Sequence, residues 1–132
     1  MKYIHATPEM IVLPLGRQGE GGRTTVIFDV TEMAEELEGA SFSIFVQRPY
    51  ESESYEVVSP GPISGVITPE GETEQRESWL VSRYDTAIAG KGKCKVVAVK
   101  NGAVIMSREW KTEIEKSMPE PDTFTEALAD DD

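Results

Sequence analysis

The segment AGKGKCK, residues 89–95, alternates glycine with lysine and is the first candidate for chemistry. A phosphate-binding loop has the form G-x-x-x-x-G-K-[ST] and leads from a strand into a helix. Here a cysteine follows Gly92-Lys93, so no hydroxyl is available for magnesium, and Ala87 stands where the first glycine would be. The KVVAVK run that follows is typical of a strand. We therefore predict a strand with Lys93 and Lys95 on its exposed face, and no phosphate site.

A second glycine-rich segment, GRQGEGG at residues 16–22, leads into the β-type run TTVIFDV. We interpret it as a loop between two strands, because glycine supplies the positive φ angles that tight turns need. The alternative is an anion-binding nest of backbone N–H groups. Arg17 and Arg23 flank this segment and could face a partner.

The remaining reactive residue types do not form a catalytic set. His5 has no cysteine or histidine neighbour in the sequence. Strand alternation places Cys94 on the face opposite the lysines beside it, which predicts a buried thiol. The paired carboxylates lie in polar loop or helix contexts. We expect Trp79 and Trp110 to fill the core, with an aromatic platform for sugars as the alternative. These patterns predict no enzyme, no metal and no cofactor.

Length and charge limit the class of protein. The 132 residues suit one domain, and the single cysteine excludes an intrachain disulfide. The net charge is -11, with eight acids against one lysine in residues 112–132. An acidic surface disfavours nucleic acid and anionic membranes as partners. The sequence shows neither an apolar run of about 20 residues nor a signal peptide, so we expect synthesis in the cytoplasm.

Turn residues recur at short intervals and separate runs rich in β-branched and aromatic residues. Such spacing predicts an all-β, antiparallel sandwich or barrel. The predicted strands are Met10–Leu15, Thr24–Val30, Ser41–Arg48, Tyr55–Ser59, Ile63–Thr68, Ser78–Ser82, Gly92–Lys100 and Ala103–Ile114.

The last predicted hairpin turns at Asn101-Gly102, a pair that tolerates a type I′ turn. Pairing outward from this turn sets Val99 opposite Val104 and Val97 opposite Met106. We expect these four residues to form a core face, while Ala98 and Ile105 point the other way.

Two helices are predicted beside the strands. Thr31–Leu37 (TEMAEEL) carries a threonine in the capping position and acids in its first turn. Asp122–Ala129 follows two prolines and places Phe124 and Leu128 four residues apart on one face. We therefore divide the chain into a sandwich domain, residues 1–116, and a proline-containing acidic tail, residues 117–132, in which Phe124 and Leu128 form a possible docking segment.

Four stretches together resemble a known family: IVLPLGRQGEGGRTTVIFDV (11–30), SFSIFVQRP (41–49), WLVSRYDTAIAGKGKCKV (79–96) and W..TEIEKSMPEP (110–121). They resemble the N-terminal domain of phage upper-baseplate and tail-fibre proteins, often found in prophages of Gram-positive bacteria. In that family an LPLGRQGE-type stretch precedes the first long strand and a DTAIAGKG-type stretch precedes the penultimate one.

The resemblance implies an immunoglobulin-like β-sandwich that docks a fibre or receptor-binding element onto a phage tail or baseplate. It implies protein partners from the tail, assembly as a trimer or ring, a place in the virion, and no catalytic residues. AGKGK becomes a corner loop, with Asp85 in the turn before the penultimate strand. Our first candidates for assembly contacts form the LGRQGE loop: Leu15, Gly16, Arg17, Gln18, Gly19 and Glu20. A carbohydrate-binding sandwich that recognises a cell-surface glycan is the alternative function.

Overall fold

A computed structural model describes residues 2–57, 61–67, 71 and 73–117 of the chain. They form ten strands and one short helix. The strands are β1 (Lys2–Ala6), β2 (Val12–Arg17), β3 (Thr24–Asp29), β4 (Ser41–Gln47), β5 (Tyr55–Glu56), β6 (Gly61–Ile67), β7 (Thr73–Leu80), β8 (Gly90–Lys100), β9 (Ala103–Met106) and β10 (Trp110–Glu115), and the helix is α1 (Thr31–Glu36).

Within the described residues the strands form two sheets, which confirms the all-β prediction. The first sheet has the order β1-β3-β7-β6, and the second has the order β2-β10-β8-β4-β5 with β9 paired to β8. Most neighbours are antiparallel, but β1 runs parallel to β3 and β2 runs parallel to β10. The chain therefore departs from a purely antiparallel arrangement at one edge of each sheet.

The two sheets face each other across a single core. Phe28 of the first sheet packs on Trp110 of the second, with ring centroids 5.2 Å apart. Trp79 is fully buried and Trp110 is 6% exposed, so both tryptophans fill the core as predicted. The other buried members of this cluster are Ile4, Ala6, Leu13, Leu15, Val26, Val30, Ile44, Val46, Val81, Cys94, Val96 and Ile114.

Strand β1 is missing from the sequence-based prediction. Its residues alternate, with Ile4 and Ala6 buried and Lys2, Tyr3 and His5 exposed. The prediction missed this strand because only two buried side chains show the alternation. The segment is a strand because it pairs in parallel with β3, and that pairing is a tertiary contact.

Strand β2 begins two residues later than predicted and runs on to Arg17, through Pro14 and Gly16. Proline is tolerated because β2 is an edge strand, where one missing N–H donor breaks no ladder bond. Strand β7 also differs, since it spans Thr73–Leu80 where Ser78–Ser82 was predicted.

The register of the last hairpin is confirmed, with Val99 opposite Val104 and Val97 opposite Met106. The predicted core face is wrong for three of its four residues, because only Val97 is buried. Val99, Val104 and Met106 are 41%, 53% and 59% exposed, whereas Ala98 on the opposite face is fully buried. The face was misassigned because both faces of this hairpin carry apolar residues, so the alternation does not show which face is buried. The packing of β8 against the first sheet decides which one it is.

The predicted single strand Ala103–Ile114 is two strands, β9 and β10, both paired with β8. Four residue steps from Met106 to Trp110 lie opposite three steps from Val97 to Cys94, so the segment holds one extra residue. Ser107 occupies this irregularity, and its hydroxyl accepts the N–H of Val96 in place of a backbone carbonyl. This bulge lets β10 face the core with Trp110.

Helix α1 lies where the sequence predicts a connecting helix, but its capping differs. Val30 is the N-cap residue, and no side chain caps the helix. The Thr31 hydroxyl instead donates to Asp29 at 2.6 Å and accepts the N–H of Gln75 at 3.0 Å. Thr31 therefore ties the helix to β7. The predicted helix Asp122–Ala129 lies outside the described residues.

Candidate functional site

Three loops meet at one end of the two sheets, and we call this region the loop end. Strands β2, β4 and β7 finish there, while β3 and β8 begin there. The strand register shows this, because Gln47 at the end of β4 pairs with Lys93 near the start of β8. The loop end consists of residues 18–23, 48–54 and 81–89.

Asp85 is the buried centre of the loop end and is 3% exposed. Its Oδ2 accepts hydrogen bonds from the Trp79 indole N–H at 3.0 Å, from the Ser82 backbone N–H at 2.8 Å and from the Ser82 hydroxyl at 3.0 Å. Its Oδ1 accepts the Tyr55 hydroxyl at 2.5 Å. A buried carboxylate is tolerated only when it is hydrogen-bonded, and these four donors meet that requirement. The predicted place of Asp85 in the corner is confirmed.

Tyr55 connects the short strand β5 to this corner. Burial of the ring, followed by the hydrogen bond to Asp85, raises the pKa of the Tyr55 hydroxyl above its usual value. The Tyr55 ring meets the Tyr84 ring edge-on, with centroids 5.0 Å apart. Tyr55 therefore stays protonated at neutral pH and acts as a fixed donor to the carboxylate.

The LGRQGE loop is closed by its own glutamate. The Glu20 carboxylate accepts the backbone N–H of Arg17 at 3.0 Å and forms an ion pair with Arg23 at 2.9 Å. The hydrogen bond from Arg17, with the Arg23 charge adding to it, lowers the pKa of Glu20. Gly16 has φ +119°, and a Cβ there would lie 2.5 Å from the Glu20 carboxylate. Only glycine fits this position.

The LGRQGE loop and the β7–β8 corner are joined by several hydrogen bonds. The Gln18 side-chain amide donates to the Ala87 carbonyl at 3.0 Å, and the Gly19 N–H donates to the Thr86 carbonyl at 3.1 Å. In return, the buried Thr86 hydroxyl donates to the Glu20 carbonyl at 2.6 Å. Much of the polar character of LGRQGE therefore serves to join the two loops. Its proposed role in assembly stays a prediction.

The loop end also carries two exposed tyrosines and a partly buried arginine. Tyr84 is 56% exposed, and the guanidinium carbon of Arg48 lies 4.0 Å above its ring centroid. Arg48 also donates to the Tyr84 carbonyl at 3.3 Å. Tyr50 is 81% exposed and follows the buried Pro49. We call Arg48, Tyr50 and Tyr84 the Tyr-Arg surface.

Sequence reasoning missed the Tyr-Arg surface. The available signals were RPY directly after the strand SFSIFVQ, and RYD in the segment between β7 and the glycine-lysine stretch. Each places a tyrosine and an arginine at a strand end. Nothing in the sequence shows that the two loops are neighbours, because 36 residues separate Arg48 from Tyr84.

The glycine-lysine stretch belongs to a strand, as the first interpretation predicted, and is not the corner loop that the resemblance implied. Gly90–Lys93 already lies in β8. Gly92 is buried, and a Cβ there would collide with the Gln47 carbonyl and lie 3.0 Å from the Thr112 hydroxyl. The glycine therefore permits close packing inside the second sheet.

Cys94 is buried as predicted. Of the two lysines predicted on the exposed face, Lys93 is exposed and Lys95 is half-buried. Burial raises the pKa of the Cys94 thiol to about 12. The reactive species of cysteine is the thiolate, so this thiol is unreactive at neutral pH. His5 is exposed on β1, and no three histidine, cysteine, aspartate or glutamate side chains of the described residues come close enough together to hold a metal ion.

The described part of the chain ends beside the loop end. The last described residue, Ser117, donates its hydroxyl to the Gln18 carbonyl at 3.3 Å. Phe124 and Leu128 lie outside the described residues, so the docking segment stays a prediction. Within the part of the chain that the structure describes, no helix has the length and apolar character needed to cross a membrane.

No protein-family model matches the chain, and no curated protein is significantly similar to it.

Proposed function

We propose that this chain is a non-enzymatic module of a phage tail or baseplate, an immunoglobulin-like β-sandwich that binds other tail proteins through its loop end. In the virion it holds a fibre or receptor-binding element in place and assembles with copies of itself. The proposal combines the family resemblance of the sequence with the surface at the loop end.

The strand order supports an immunoglobulin-like fold. Such a sandwich has strands A, B, E and D in one sheet and C, F and G in the other. The order β1-β3-β7-β6 corresponds to A-B-E-D, and β10-β8-β4 corresponds to G-F-C. The parallel pairing of β1 with β3 and the inserted strand β9 are departures from that pattern.

The main observation in support of the functional proposal is that the two sequence motifs on which the resemblance rests contact each other. LGRQGE and DTAIAGKG are far apart in the sequence, yet Gln18 and Ala87 are hydrogen-bonded in the structure. Together they form one continuous surface at the loop end. A surface built by both motifs is the natural place for the contacts of the module.

The Tyr-Arg surface lies beside these two motifs at the loop end, and its composition and support suit a protein partner. Tyrosine and arginine dominate the energetic centres of protein interfaces. Asp85 and Thr86 lie beneath the surface, and their hydrogen bonds hold the corner that carries Tyr84. A pre-formed surface loses little conformational entropy on binding, so its contacts contribute more fully to affinity.

Light scattering and capture experiments test the proposal. The full chain at micromolar concentration should self-associate or capture a protein encoded beside it in a phage genome. Tyr50→Ala with Tyr84→Ala should weaken this binding by about tenfold or more, since interface tyrosines are frequent hot spots. Tyr3→Ala is the matched control, because Tyr3 is 59% exposed on β1.

A strict monomer that captures no tail protein would refute the proposal, as would equal losses from the loop-end and Tyr3 variants. The double variant and the Tyr3→Ala control should also be applied to a glycan array. Both tryptophans are buried, so a sugar platform would have to use exposed tyrosines such as Tyr50 and Tyr84. Glycan binding that disappears in the double variant would favour the carbohydrate-binding alternative.

A further inference from the structure

A groove of about 610 Å³ lies away from the loop end, between α1 and strand β9. The side chains of Met33, Ile105, Met106 and Trp110 give it an apolar lining, and Glu32 and Glu36 lie along its α1 side. Met33 and Ile105 are only partly buried. The groove therefore offers apolar surface that no described residue covers.

Strand β9 leaves backbone hydrogen-bonding groups directed away from β8. Hydrogen-bonded positions alternate along an antiparallel pair. Ser107 donates its backbone N–H to Val96, so the positions that face β8 are 103, 105 and 107. The N–H and C=O groups of Val104 and Met106 must point outward. Among the described residues, β9 pairs with β8 alone.

The side chains of the same two residues are also uncovered. Val104 is 53% exposed and Met106 is 59% exposed. Natural edge strands are usually protected by charge, proline or a covering element. The sequence of β9, AVIM, contains no charge and no proline. An apolar edge with free backbone groups is suited to accept one more strand.

The charges around the groove indicate what that strand would carry. Glu32 and Glu36 are exposed on α1, and Asp29 lies beside them on the same side. Glu32 and Glu36 form no ion pair with any described residue. Arg108, on the opposite side, is already engaged, because it donates to the Pro8 carbonyl and lies 5.9 Å from the Trp110 ring centroid. The unbalanced charge of the groove is therefore negative.

We propose that the groove is a second binding site, which receives an extended segment of a partner protein as an additional strand beside β9. The segment has apolar residues that face Ile105 and Met33, and its lysine or arginine residues give it the positive charge that complements the α1 carboxylates. Its backbone pairs with Val104 and Met106. This site does not depend on the loop end or on the proposed function.

The test uses the full chain and synthetic peptides. The probe is a short capped peptide of alternating lysine and valine, and its comparison is a peptide of equal length with glutamate in place of lysine. Fluorescence anisotropy at low ionic strength should show that the lysine peptide binds at least about tenfold more tightly, which corresponds to about 1.4 kcal/mol. Hydrogen exchange should show protection of the Val104 and Met106 amides when the lysine peptide binds.

Two matched variant pairs locate the site. Val104→Pro removes an outward donor without touching the pairing with β8, whereas Val104→Thr retains it, so only the proline variant should lose about tenfold or more in affinity. Glu32→Gln with Glu36→Gln should weaken binding of the lysine peptide. Glu35→Gln, on the same helix but outside the groove lining, should leave it unchanged.

Three results would overturn the proposal. The first is the absence of measurable binding of the lysine peptide, or equal binding of both peptides. The second is binding that survives both Val104→Pro and the double glutamine variant. The third is a concentration-dependent dimer that Val104→Pro abolishes, since the edge would then belong to a second copy of the chain.

Discussion

Replacing Asp85 with alanine removes the acceptor that four donors share at the loop end. The Trp79 indole N–H is then left without a partner inside a fully buried side chain, which costs about 1–3 kcal/mol. The half-buried Tyr55 hydroxyl loses its acceptor but gains some access to water, at a cost of about 1 kcal/mol. Ser82 is exposed, so water replaces its bonds. These two costs together give an expected loss of about 2–4 kcal/mol in the free energy of unfolding.

Asp85→Asn should cost less, about 1–2 kcal/mol. The amide oxygen continues to accept from Trp79 and Ser82, and the amide nitrogen donates to the Tyr55 hydroxyl, which rotates to accept. Only the contribution of the negative charge to these bonds is lost, because charge-assisted hydrogen bonds are stronger than neutral ones.

Urea unfolding followed by tryptophan fluorescence measures both variants. Asp29→Ala is the control, because Asp29 is exposed and bonds only locally to Thr31, so its loss should cost about 1 kcal/mol or less. If Asp85→Ala costs no more than Asp29→Ala, the carboxylate does not organise the corner. If Asp85→Asn costs as much as Asp85→Ala, the charge matters more than the geometry of the acceptor.

Three further predictions concern packing and protonation. Gly92→Ala should lower stability by about 1–3 kcal/mol in urea unfolding, because the new methyl group meets the Gln47 carbonyl; an unchanged midpoint would contradict the close packing. Thr86→Val should lower the free energy of unfolding by about 1–2 kcal/mol and speed amide exchange in residues 18–23, since the hydroxyl that holds Glu20 is lost. Unchanged exchange in these residues would show that the Thr86 hydrogen bond does not hold the two loops together. The folded pKa of Cys94, about 12, lies above the unfolded value, so its contribution to stability is complete below pH 9 and is lost as the pH rises toward 12. Between pH 9 and 10, the free energy of unfolding of Cys94→Ala should fall by about 1 kcal/mol less than that of the unmodified chain. Parallel pH profiles of the two proteins would show that the thiol does not titrate as described.

Local patterns predicted much of the fold. The Asn101-Gly102 turn specified the register of the last hairpin. Alternation along β8 placed Cys94 inside and Lys93 outside. These predictions succeeded because turn geometry and the period of a strand depend on neighbouring residues only.

Other features depend on residues that are distant in the sequence. Strand β1 exists because it pairs in parallel with β3, and the break between β9 and β10 exists because both strands share β8. The exposed face of the last hairpin was misassigned for the same reason. Apolar residues on both faces of a segment give no local signal for which face is covered.

The sequence by itself determined that the chain is all-β, that its cysteine and tryptophans are buried, and that its glycine-lysine stretch is a strand. Each of these follows from side-chain alternation and turn chemistry over a few residues. The tertiary structure alone decided that LGRQGE and the Asp85 corner join, that Tyr84 lies under Arg48, and that β9 has an open edge beside α1. These depend on contacts between loops and strands far apart in the chain, which no local pattern encodes.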